Sequence, residues 1–283
     1  MIEIKNISKQ YKHVQALDNV TFNFEQGKIY GLLGRNGAGK STLLKIISNR
    51  IFASEGNAFL DGESVTENEN VRTKLYCMTE ENLYPNLKVK EIFNWTSEFY
   101  DDFDLERAYR YAKQFDLDTN KKMNALSTGY KSICKLVIAL SFDMPYLIFD
   151  EPVLGLDANH RELFYKLLLE AYEDNEKTII IATHLIEEVA NLIEDVVIID
   201  KGKILLQDSV ESVMSKGYSI SGSIHDVDEY CINQNVIGVD ELGGMKVAYI
   251  MGEIDVEKRH DRLNISNMNL QKLFVKLTEN GGA

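Results

Sequence analysis

The chain has 283 residues, 45% hydrophobic and 27% charged, the balance of a globular protein able to bury a large core. Its 31 basic and 44 acidic side chains leave a net charge of −13. Such a field repels phosphate backbones and anionic lipid, so direct binding to nucleic acid or to a membrane surface is disfavoured.

No run of about 18 apolar residues is present, so nothing is expected to span a bilayer. The N-terminal stretch has no apolar segment behind its positive charges, and no secretory signal is expected. Cys77, Cys134 and Cys231 are far apart and read as small core residues in a reducing compartment. His13, His160, His184, His225 and His260 show no metal-ligand spacing.

In chain order, strands are predicted at 2–4, 20–24 and 29–33, then a glycine-rich turn and a helix over 41–49. Short strand-like pieces fill 57–78. From Val89 to Phe115 the spacing becomes helical and aromatic, with Phe93, Trp95, Phe99, Tyr100, Tyr109, Tyr111 and Phe115 read as core. A helix over 131–142 leads to an apolar strand at 146–149. Helix 158–173, strand 178–182, helix 185–193 and strand 196–199 then alternate, the pattern of a largely parallel sheet covered on both faces. Beyond 207 the pattern loosens into a small α+β module that ends in an amphipathic helix over about 269–278.

Residues 34–42, GRNGAGKST, satisfy GxxxxGK[ST] after a strand and at the start of a helix. Glycines there let backbone N–H groups curl around phosphates, and the helix N-terminus adds its positive end. Asn36, Gly37, Ala38, Gly39, Lys40, Ser41 and Thr42 are therefore nucleotide-binding candidates, with Lys40 for the β/γ-phosphates and Ser41 for Mg²⁺. The apolar strand at 146–149 ends in Asp150 and Glu151. Adjacent side chains on a strand point to opposite sides, so Asp150 suits the metal shell and Glu151 suits activation of a water. The combination predicts hydrolysis of a nucleoside triphosphate.

A third motif, Leu126-Ser127-Thr128-Gly129-Tyr130, lies between these two and resembles the LSGGQ signature of ABC-type ATPases. Gly155-Leu156-Asp157 resembles that family's D-loop, Ala182-Thr183-His184 its switch histidine, and Tyr11 the aromatic that stacks on adenine. The resemblance covers about 1–207. More loosely, 270–278 is similar to the terminal helix of drug- and peptide-export ATPases.

The resemblance implies an α/β P-loop NTPase: a RecA-like core with an antiparallel β-subdomain, a helical lobe across about 84–140, and a separate module over 208–283. It implies ATP and Mg²⁺ as cofactors, a transmembrane permease as partner, and a place on the inner face of the cell membrane. It also implies a head-to-tail dimer, with a second copy or a second ABC ATPase. Each site would join Lys40, Ser41, Asp150, Glu151 and His184 of one chain to Ser127 and Gly129 of the other. Asp157 would lie at the same interface. The family's glutamine between the lobes should fall near Thr79, where no glutamine exists. Thr79 or Glu80 is left to serve the metal, Thr79 standing at the glutamine's own position. Thr128 and Tyr130 also depart from the signature. The expected cargo is a drug or an amphipathic or antimicrobial peptide. The competing readings are a soluble ABC ATPase acting on ribosomes or DNA, and a catalytically weak nucleotide-binding regulator.

Overall fold

The computed structural model describes residues 1–81, 84–175, 177–256, 258 and 262–280. His260, Asn82 and Leu83 lie outside the described residues.

β1 (Ile2–Tyr11) and β2 (Val14–Phe24) turn apolar residues inward in alternation and pair antiparallel, Ile4 opposite Phe22. β3 (Ile29–Leu33) is buried at every position and enters a second sheet, as a strand covered on both faces must be. α1 (Lys40–Ile47) follows. β4 (Glu55–Leu60) and β5 (Glu63–Ser64) return to the first sheet, whose order is β2-β1-β4-β5. α2 (Glu69–Arg72), capped by the Asn68 side chain, leads to β6 (Leu75–Met78) at an edge of the second sheet.

Three α-helices follow among the described residues: α3 (Val89–Phe99), α4 (Leu105–Gln114) and α5 (Thr128–Leu140). The aromatics divide. Phe93, Tyr111 and Phe115 are buried, but Trp95 is 46% exposed, Phe99 78%, Tyr100 43% and Tyr109 38%. The reading of all seven as core is therefore corrected. On α3 the buried face carries Val89, Ile92 and Phe93, so Trp95 and Phe99, four residues apart, share a stripe off that face.

β7 (Tyr146–Asp150), α6 (Ala158–Asn175), β8 (Thr178–Thr183), α7 (Ile186–Val189), β9 (Asp195–Asp200) and β10 (Lys203–Ser209) complete the central sheet. Its order is β10-β9-β3-β8-β7-β6, parallel throughout except for β10. α7 is shorter than the helix expected over 185–193, because the N–H groups of Leu192 and Ile193 both turn back to the Val189 carbonyl. β10 carries the sheet just past the boundary drawn at 207.

The C-terminal part contains α8 (Val210–Lys216), β11 (Gly217–Ser223), α9 (Ile224–Cys231), β12 (Val236–Leu242), β13 (Met245–Met251), β14 (Asn264–Asn267) and α10 (Leu270–Asn280). Its sheet, β12-β13-β11-β14, is antiparallel. Leu270, Leu273 and Phe274 of α10 join the same buried core as Ile186, Val189 and Ile193. The last helix thus seats the module on α7. Cys77 and Cys134 are buried, and burial pushes both thiols up to about 12, the state of inert core residues. Among the described residues no helix is long and apolar enough to cross a membrane.

Candidate functional site

The loop between β3 and α1 is built by its glycines. Gly39 has φ 113°, a left-handed conformation, and a Cβ there would lie 2.7 Å from the Ala16 carbonyl oxygen. The loop is pinned by the Gly202 N–H donating to the Ala38 carbonyl (2.9 Å) and the Ala38 N–H donating to that of Arg35 (3.1 Å). A cavity of about 550 Å³ opens over it, lined by Asn36, Gly37, Ala38, Gly39, Lys40, Ser41 and Thr42 from the loop. Val14, Gln15 and Ala16 from β2, with Arg35, Glu80, Glu151, Leu154 and His184, close the rest. The whole predicted cradle is therefore in one place.

Lys40 is buried, and its Nζ donates to the Gly34 carbonyl at 2.7 Å while lying 3.4 Å from Glu151 Oε1. Glu151 follows β7 with φ 49°, unusual for a residue with a side chain. Its N–H donates to the Ala182 carbonyl (2.9 Å), Thr183 Oγ1 donates to Oε2 (3.0 Å), and His184 Nδ1 lies 2.9 Å from Oε1. The parallel pairing of β7 with β8 brings these groups together, setting Asp150 beside Ala182. Thr183 joins the site although the sequence motifs give it no role of its own. Its signal is its place between the strand and His184.

Asp150 is 3% exposed, and burial pushes its carboxyl up. The Ser41 hydroxyl and Lys40 oppose that push, while Glu80 and Glu151 add to it. Among the described residues its Oδ1 meets no hydrogen-bond partner.

Other candidates lie away from the cavity. Tyr11 faces Val14 at the β1–β2 turn and is 43% exposed, with Lys9 Nζ 5.2 Å from the ring centroid. Thr79 does not line the cavity. Its hydroxyl accepts from Arg50 Nη1 at 2.9 Å, and the next residue, Glu80, reaches the cavity instead. Of the two residues named for the metal, Glu80 lines the cavity and Thr79 does not. Ser127 caps α5, its Oγ accepting the Tyr130 N–H (3.3 Å). Gly129 packs on Gly155 so closely that a Cβ would lie 2.7 Å from the Gly155 carbonyl oxygen. Asp157 opens α6, accepting the His160 N–H at 3.0 Å. Neither Ser127, Gly129 nor Asp157 lines the cavity of its own chain.

The family model described as "ABC transporter" matches residues 17–154. Over 283 residues the chain is 26% identical to the ABC transporter ATP-binding protein YtrB of Bacillus subtilis, covering 97% of both chains. It is 30% identical over 268 residues to the arabinose import ATP-binding protein AraG of Rhizobium etli, covering 87% of this chain and about half (53%) of that one. It superposes with TM-score 0.68 and 26% identity on a dimeric ATP-binding cassette, MJ0796, bound to ADP and Pi, covering 74% of this chain and 99% of the other. The chain carries an ABC transporter ATP-binding domain.

An ABC ATPase domain binds ATP, uses Mg²⁺ and hydrolyses the nucleotide. The residues present fit the metal. A carboxylate buried to 3% exposure with an unsatisfied oxygen, beside a serine at the head of the cradle helix, is a costly arrangement unless a cation meets it. ABC ATPase domains pair with membrane permeases and dimerise.

Proposed function

We propose that this chain is the hydrolysing subunit of an exporter, working at the inner face of the membrane against a separate permease and carrying a drug or an amphipathic peptide outward. Lys40 binds the β/γ-phosphates, Asn36 to Thr42 wrap them with backbone N–H groups, and Tyr11 flanks the base. Ser41 and Asp150 hold Mg²⁺, which when bound neutralises charge on the phosphoryl oxygens. Glu151 orients and deprotonates the attacking water, and His184, fixed against Glu151, reads the γ-phosphate. Ser127 and Gly129 are donated by the opposite subunit, with Asp157 at that same interface.

The permease reading is carried by one observation. Tyr84, Trp95, Phe99 and Tyr100 are all at least 43% exposed and gather around an apolar cavity beside Thr79 and Glu81, next to the nucleotide site. Aromatics clustered in this way at the surface mark a partner. The outward direction rests on the likeness of 270–278 to export ATPases, since AraG is named an importer.

The test is affinity capture of the tagged chain from gently solubilised native membranes, followed by loss of the chain in cells challenged with amphipathic peptides. Co-purification of a polytopic membrane protein together with heightened peptide sensitivity is the expected result. Capture of ribosomal or DNA-bound proteins alone would overturn the transporter reading. A permease whose loss instead abolishes uptake of a nutrient would overturn export.

A further inference from the structure

The segment 79–81, between β6 and the helical lobe, is held from three directions. Arg50 occupies the Thr79 hydroxyl through Nη1 (2.9 Å) and the Cys77 carbonyl through Nη2 (2.9 Å). Lys45, on α1, occupies the Glu81 carboxylate at 3.0 Å. Lys135, on the helix that begins with the signature, donates to the backbone carbonyls of Thr79 (3.2 Å) and Glu80 (2.8 Å). Of three consecutive polar side chains, two are already engaged. Among the described residues, the Glu80 carboxylate has neither a hydrogen-bond donor nor an ion-pair partner. It lines the nucleotide cavity with Lys40, Ser41 and Glu151.

We propose that the Glu80 carboxylate makes nucleotide binding conditional on a divalent cation, opposing the bare triphosphate and favouring the metal-loaded one. The inference rests on the MgATP reading of this cavity. Its physics is a sign argument. The cavity already holds Glu151, with Asp150 beside Ser41, against two lining cations, Lys40 and Arg35. A further negative charge beside bound phosphate repels it, while the same charge attracts a dication placed between them. A neutral amide at this position does neither. The charge of Glu80 is already felt by Asp150, whose buried carboxyl it helps to push up. Lys135 grips the backbone rather than the carboxylate, so its ammonium feels the Glu80 charge but makes no hydrogen bond to it.

The experiment measures ATP affinity of the full chain by calorimetry, with Mg²⁺ and with a chelator, for wild type, Glu80→Gln and Glu81→Gln. Glu80 is exposed and the substitution is isosteric, so the fold is retained. For Glu80→Gln we expect metal-free ATP to bind about fivefold more tightly and Mg²⁺-loaded ATP a few-fold more weakly, an effect of one charge in a half-wet cleft. The benefit of Mg²⁺ therefore falls by about tenfold. Glu81→Gln, whose carboxylate is tied to Lys45, keeps the wild-type benefit. An unchanged Mg²⁺ benefit in Glu80→Gln, or an equal fall in Glu81→Gln, overturns the proposal and leaves the nucleotide site standing. A wild-type chain that binds neither form of ATP overturns both.

Discussion

Two carboxylates one residue apart are held in opposite ways. Asp150 is sealed under the cradle with an orphaned oxygen, whereas Glu151 is gripped by Thr183, His184 and, at 3.4 Å, Lys40. The positive φ of Glu151 is the turn that swings it out of the strand line toward His184. A strained backbone at such a residue persists only when its surroundings over-determine it, and the Ala182 carbonyl, Thr183 and His184 all do so. Glu151→Gln keeps size and backbone but removes the base. Steady-state ATPase activity is expected to fall by a hundredfold or more, about the range of a lost general base, with ATP affinity retained. Hydrolysis within about threefold of wild type would remove Glu151 from that role.

At the scale of elements, the C-terminal sheet is joined to the ATPase through α10. Lys276, 7% exposed, reaches back from α10 to Asp240 of β12 at 2.7 Å and to Glu279 at 2.9 Å, and lies 4.9 Å from the Tyr249 ring centroid. The hydrogen bond from Lys276, and then that from Tyr249, hold the Asp240 carboxyl below its usual 3.8, while Asp240 lifts the Lys276 ammonium above 10.5. The signs define a window. The Asp240 contribution is present above 3.8 and is lost as pH falls through its lower folded value. The Lys276 contribution is complete below 10.5 and is lost as pH rises through its higher folded value. Asp240→Asn should lower the melting temperature across that interval, by an amount equivalent to at most about 1 kcal/mol since Asp240 is half wet, and should converge with wild type in strong acid. Equal melting of the two proteins at neutral pH would show that the pair does not brace α10. None of this clamp could be read from sequence. The periodicity of 269–278 predicts the helix, but its docking on β12 and α7 depends on tertiary placement. The phosphate cradle, by contrast, is one continuous run whose spacing contains its own geometry. Residues 77–81 fall between these cases. Their role as a link between lobes could be expected, yet the choice of Glu80 over Thr79 depends on Arg50, distant in sequence, capturing the threonine hydroxyl. The aromatics of 93–115 share that limit, because composition marks them as apolar and only the helix faces decide which are covered.

Across the whole molecule, the signature stands apart from the cavity that its own chain lines. Gly129 sits against Gly155 and Ser127 caps α5, and the cavity holding Lys40 and Glu151 includes neither. On the function proposed above, a site divided in this way is completed by a second chain; MJ0796, to which this chain is similar, is a dimeric cassette. Whether the second chain is identical is decided by a contest between ATP as a bridge and repulsion between two bodies that each carry −13. That repulsion is screened beyond about 8 Å at physiological salt and much less at low salt. In sedimentation experiments, Glu151→Gln with MgATP is therefore expected to form a dimer whose stability rises with salt. Glu151→Gln with ADP stays monomeric, and adding Ser127→Glu abolishes the ATP-dependent dimer by placing a carboxylate where a helix N-terminus should meet phosphate. If Glu151→Gln binds MgATP yet remains monomeric across the salt range, two copies do not suffice. The partner is then a second ATPase, whose signature completes this cavity and whose own cavity receives Ser127 and Gly129.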